Sequence, residues 1–240
     1  MSINTEHPEY KWFKKRWLKM SHALSDEDGV KEQGELYLPK TGGMKINDPS
    51  GEQYKAYLMR ARFPEITTQS LLGLIGLVFE KDPQGISDEI ITNSNQDNLQ
   101  LAREVLRAVA SKGRDVLVVD APISGGAPFI TRYSAESLIN WKVKDENPAQ
   151  LTLAVLKEDD KFASDEYSHE KETIYRKYQE IDGKFWVSLW RIIDNIDILI
   201  DAPVMLPVDF MPVIIPGSMD LQPNCDPLPL LPVAYCALSY

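Results

Sequence analysis

Cysteine and histidine are scarce in this chain. The two cysteines, Cys225 and Cys236, have no metal-ligand spacing and form no framework, so they read as reduced thiols of a cytosolic setting. The three histidines, His7, His22 and His169, do not pair with them at zinc-ligand spacing. His169-Glu170 begins like a zinc-protease helix, but Thr173 stands where the second histidine must be, which excludes that motif. No Gly-x-Ser-x-Gly elbow and no dinucleotide fingerprint is present, so serine acyl transfer and nicotinamide chemistry lack their usual anchors. Long apolar runs are also missing. The longest apolar helix candidate, Leu71 to Phe79, is far too short to cross a bilayer, and no secretion signal leads the chain. Positive charge is in the minority, and a net charge of −10 argues against a general nucleic-acid grip. There are no repeats and no low-complexity tract.

What is present is organised around residues 98–141. Leu99, Ala102, Leu106 and Val109, with Val105 beside them, recur at helical spacing, while Arg103, Glu104 and Arg107 take the wet side. Gly113 after Lys112 is a helix stop. Val116 to Val119 is an unbroken apolar run, which predicts a central strand covered on both faces and packed under the 98–112 helix. Asp120, Pro122 and Ser124-Gly125-Gly126 supply turn chemistry; a strand rather than a helix comes next, so the glycines read as a hairpin loop and not a phosphate cradle.

Before this stretch the chain is helical. Pro8 to Leu24 predicts a helix on which Trp12, Phe13, Trp17 and Met20 share a face and Lys11, Lys14, Lys15, Arg16 and Lys19 crowd the rest. Ser25 to Asp28 caps a short helix ending at Gly34, and residues 38–51 read as a loop. Two more helices run from about Gly51 to Arg62 and from after Pro64 to about Glu80. The second is apolar nearly all round, so it is either buried or lies between subunits, and Gly73 and Gly76 suggest tight packing there. Residues 82–96 are polar and irregular. After Trp141 the chain turns to strands. Gln150 to Lys157 reads as a strand, residues 158–172 as a charged loop, and Thr173 to Ile181 with Lys184 to Ile193 as a hairpin through Asp182-Gly183. Asp194-Asn195 turns into Ile196 to Ile200. Pro203, Pro207 and Pro212 restrict later strands to edges or short pieces such as Val213 to Ile215. Residues 216–229 form an extended loop, and Leu230 to Tyr240 opens a helix. The expected fold is α+β: a helical region over 1–97 packed on a mostly antiparallel β region within 98–215, then a proline-rich loop and the start of a helix over 216–240.

Candidates for function divide into carboxylates and contact residues. Asp115 and Asp120 flank the apolar strand. With Glu136 they are the best candidates for a metal-dependent nuclease or hydrolase, although turn residues capping backbone groups are the simpler reading. The basic, aromatic first helix and the apolar stretches yield subunit-contact candidates: Trp12, Lys15, Arg16, Leu72, Leu77, Leu231 and Tyr235.

At Tyr54-x-x-Tyr57-x-x-Arg60-Ala61-x-Phe63, then Thr67, Gly73-Leu74-x-Gly76 and Phe79-x-Lys81-x-Pro83, the chain resembles the portal-like proteins of tailed phages. The resemblance continues through Gly113-Arg114, Val119-Asp120-x-Pro122, Pro128-Phe129 and Tyr133-x-Ala135-Glu136-Ser137-x-Ile139-Asn140-Trp141. It ends at Pro212, Gly217, Asp226 and Pro229-Leu230-Leu231. It implies a non-enzymatic structural protein without a cofactor, located in the virion and, during assembly, in the host cytoplasm. Its partners would be further copies in a ring, capsid, terminase and head–tail adaptor proteins; DNA would pass without tight binding, and no membrane is involved. The chain stops where the family's long helix continues, so the resemblance assigns it to the N-terminal, wing half. A head–tail adaptor or another virion component is the nearest alternative.

Overall fold

The computed structural model describes residues 2–81, 83–84, 92, 97–120, 127–161 and 171–239. The loop at Ser124-Gly125-Gly126, Pro122 and His169-Glu170 lie outside the described residues. The fold is α+β, with helices concentrated in the N-terminal part and antiparallel sheets in the C-terminal part. Among the described residues, no helix is long and apolar enough to cross a membrane.

The first helix, α1 (Pro8–Leu24), starts where expected because Pro8 suits the first turn and the His7 imidazole accepts from the Glu9 N–H. Its inner face is Tyr10, Phe13, Trp17, Met20 and Ala23, all buried. Each large apolar side chain among them contributes about 1.5–3 kcal/mol of transfer free energy. Trp12 departs from the expected shared face: it is 58% exposed, with the Arg16 guanidinium 3.2 Å above its ring. Asp26 caps α2 (Glu27–Glu32) by accepting from Gly29 N–H. A helix, α3 (Gly42–Asn47), interrupts the expected 38–51 loop, because Thr41 supplies a cap for the Met44 N–H. Then come α4 (Glu52–Arg60), α5 (Ile66–Val78) and α6 (Asn98–Lys112).

The rest of the chain builds two sheets. In the smaller one, β1 (Val116–Asp120) lies between β2 (Phe129–Tyr133) and β9 (Val213–Ile214), antiparallel to both. The larger is a meander of β3 (Leu138–Lys144), β4 (Asn147–Lys161), β5 (Lys171–Ile181), β6 (Lys184–Ile193) and β7 (Ile196–Leu199), with β8 (Val204–Met205) pairing β6. The expected charged loop at 158–172 begins and ends in strand, because β4 and β5 stay in register from Leu153↔Gln179 to Lys161↔Lys171; residues 162–170 lie outside the described residues. Asp182 and Gly183 take positive φ in the β5–β6 turn, as do Asp194 and Asn195 in the next.

The core is one cluster into which α1, both sheets, the 216–229 loop and the last helix, α7 (Leu231–Leu238), all contribute. The β1 strand is central, but only one face is sealed. Val116 and Val118 are fully buried, whereas Leu117 and Val119 are half-buried. Leu117 and Ile130 border an open apolar groove of about 380 Å³ against Leu101, Ala102, Val105, Leu106 and Val109 of α6. The stripe expected to pack on the strand therefore lines a groove, while Leu101, Ala108, Ala110 and Ser111 are the buried positions of α6.

Arg114 joins the layers. It is fully buried, its guanidinium 5.1 Å from the Trp17 ring and 4.6 Å from the Trp141 ring. It donates to the carbonyls of Pro223, Ala135 and Leu138. Burial, the largest influence on it, lowers its pKa from the ordinary arginine value. Trp17 donates from Nε1 to the Lys112 carbonyl, and Lys112 returns a bond from Nζ to the Trp17 carbonyl, which locks α1 to the end of α6. Gly113, at φ +82, comes at once after it. A Cβ there would collide with the Asp226 carbonyl, and one at Gly217 with the Asp226 carboxylate. The residues at 113, 217 and 226 are thus a single packed contact.

Val118→Asp puts an unpaired carboxylate into the sealed face of the central strand and should abolish cooperative thermal unfolding, followed by circular dichroism. Arg114→Ala removes the partner of three buried carbonyls and should cost about 3 kcal/mol or more in urea unfolding.

Candidate assembly surface

Three helices far apart in sequence come together at the surface: α1, α5 and α7 pack on one another pairwise. The C-terminal apolar residues therefore fold back. Leu228, Ala234 and Ala237 are buried, and Leu230, Leu231, Val233 and Leu238 are half-buried. This removes most of the C-terminal stretch from the set of open apolar surfaces expected from sequence. Leu231 lies partly inside, while Tyr235 remains 45% exposed.

The α5 helix behaves differently. Only Thr67 and Leu71 are buried along its length. Leu72 (48%) and Leu77 (71%) are exposed, as are Ile66 and Val78. Among the described residues the tight packing expected at Gly73 and Gly76 is not made: a Cβ at either position meets nothing within 4 Å. An isolated helix of this composition has no reason to keep two interior glycines, which cost about 1 kcal/mol each against alanine. Here they leave a flat apolar strip facing outward.

On α1, Trp12, Lys15, Arg16 and Lys19 fall at helical spacing on the outer face. Lys19 Nζ sits 4.3 Å from the Tyr235 ring, linking this face to α7. The seven contact candidates thus lie on three mutually packed helices: Trp12, Lys15, Leu72, Leu77 and Tyr235 are exposed, and Arg16 and Leu231 are half-buried.

Each of the carboxylate candidates lies beside a different cation. Asp115 pairs with Arg132 at 2.6 Å, and Arg132 also reaches Glu104 at 3.6 Å. Asp120 lies 3.4 Å from Arg176, whose Nε bonds Glu158 at 2.6 Å, and the Tyr133 hydroxyl donates to the same Glu158. Glu136 pairs with Lys112 at 2.6 Å. Among the described residues, no three His, Cys, Asp or Glu side chains are grouped so as to hold a metal. An open polar cleft of about 550 Å³ lies between β2 and β4, and Arg132, Glu136 and Glu158 are on its walls. The arginines that organise these pairs were invisible to spacing arguments, because each partner comes from a different strand or helix. Cys225 is a half-buried free thiol whose pKa burial pushes up to about 12, which makes it a poor nucleophile.

No family model matches the chain, and no curated protein matches it.

Asp115 has no exposed surface and one oxygen without a hydrogen bond. Burial outweighs the pull of Arg132 and pushes its carboxyl up to about 7 from the ordinary 3.8. The folded state therefore holds a proton that the unfolded chain releases, and stability is lost as pH rises between those two values. Urea unfolding at mildly acidic and mildly alkaline pH should show the loss, and Asp115→Asn should flatten it by about 1–3 kcal/mol, allowing for solvent around Arg132.

Proposed function

We propose that this chain is a non-enzymatic virion assembly subunit of the portal type, its wing portion. In this reading it belongs to a ring at the capsid vertex through which DNA passes without being gripped. Capsid, terminase and head–tail adaptor proteins are its partners by resemblance.

The observation that carries the reading is α5. It is apolar nearly all round, with Leu72, Leu77 and Val78 exposed and open space above Gly73 and Gly76. Such a strip is costly in water and well suited to close approach by another chain.

The test is sedimentation velocity over a concentration series, with electron microscopy of whatever assembly forms. Wild-type chain should self-associate, and Leu72→Ser/Leu77→Ser should weaken association at least tenfold while melting as a folded protein. A wild type that stays monomeric at high concentration would sink the assembly reading for this chain.

A further inference from the structure

We infer that the outer face of α1 is a docking surface for the acidic surface of a second copy of this chain, in a head-to-tail contact distinct from the apolar strip on α5. The inference rests on the assembly reading above and assigns that assembly a second, electrostatic interface.

Charge is the first observation. The α1 helix carries Lys11, Lys14, Lys15, Arg16 and Lys19 against one carboxylate, Glu9, a net +4. A chain of net charge −10 therefore carries −14 outside α1. The cations are also crowded. Lys11 and Lys15, and Lys15 and Lys19, stand four residues apart on one helix, where like charges destabilise it by about 0.2–0.5 kcal/mol per pair. Only Lys14 has an acidic partner, Glu6 at 2.7 Å; among the described residues none is paired with Lys11, Lys15, Arg16 or Lys19.

The second observation is the aromatic content of the same face. Trp12 is 58% exposed, Leu18 56% and Tyr235 45%. Arg16 lies flat on Trp12 at 3.2 Å and bonds the Trp12 carbonyl, so its fork is held in one orientation. Lys19 Nζ lies 4.3 Å from the centre of the Tyr235 ring. Exposed Trp, Tyr and stacked Arg are the residue types that carry binding energy at protein interfaces, and ordering them in advance lowers the entropic cost of docking.

Charge complementarity selects the occupant. Two α1 faces repel each other, so the contact cannot be a symmetric one between like patches; it must join α1 of one copy to a different, acidic surface of the next. Nucleic acid suits the face less well. A net charge of −10 repels phosphate at long range, and the Trp12 face that a base would stack on already holds Arg16.

The experiment is sedimentation velocity of the full chain at low and high salt, for wild type, Lys11→Glu/Lys15→Glu and Trp12→Ala, with a labelled single-stranded oligonucleotide titrated in parallel. Thermal melts check folding, and all three substituted positions are exposed. Wild-type association should weaken at least tenfold at high salt. The double charge variant should associate at least tenfold more weakly than wild type at low salt, and Trp12→Ala should lose affinity while keeping the salt response. Association unchanged by salt or by the charge reversal overturns the inference; if the Leu72→Ser/Leu77→Ser variant still loses association, the assembly reading stands without it. Oligonucleotide binding lost in the charge variant, with self-association unchanged, overturns it in favour of nucleic acid. A monomer under every condition overturns both.

Discussion

Everything in this fold leans on a guanidinium buried between two indoles. Among the described residues no carboxylate forms an ion pair with Arg114; three backbone carbonyls and the faces of Trp17 and Trp141 take its place. Those partners belong to α1, to the turn before β3, to β3 itself and to the 216–229 loop. One side chain therefore fixes the relative placement of the helical and sheet layers. A buried cation tolerates little misplacement, because any lost partner leaves charge and carbonyls unpaired in a medium of low dielectric. Gly113 and Gly217 fit the same demand: both give way to Asp226, which brings the late loop against the residue next to Arg114.

With its inner face committed to that core, α1 has only its outer face to offer. The α7 helix folds back beside it, covering much of what the C-terminal stretch would otherwise expose. The apolar α5 stays largely uncovered, with only Thr67 and Leu71 buried. The surface thus offers two unlike patches, an apolar strip interrupted by glycines and a basic, aromatic helix face. The first loses water on docking and is indifferent to salt; the second is screened by it.

The elements themselves were legible before any coordinates. Local rules decide them: Pro8 and Asp26 start helices, Gly113 stops one, Asp182-Gly183 turns a hairpin, and Val116 to Val119 reads as strand. The α+β class, the meander and the confinement of the late prolines to short strands come from the same chemistry.

What sequence could not decide is which faces meet, because that depends on distant chain segments. Periodicity placed Trp12 with Phe13 and Trp17; in the fold Tyr10 joins that buried face and Trp12 lies outside it. The run at Val116 to Val119 marked a buried strand, yet only the tertiary arrangement left Leu117 beside an open groove. Spacing marked Asp115 and Asp120 as flanking the strand, while only the tertiary structure shows that Arg132 and Arg176, from other strands, reach them. Most decisively, nothing local marks Arg114 as the centre. An arginine reads as surface until the fold shows that two tryptophans and three carbonyls, from positions up to 109 residues away, have been brought around it.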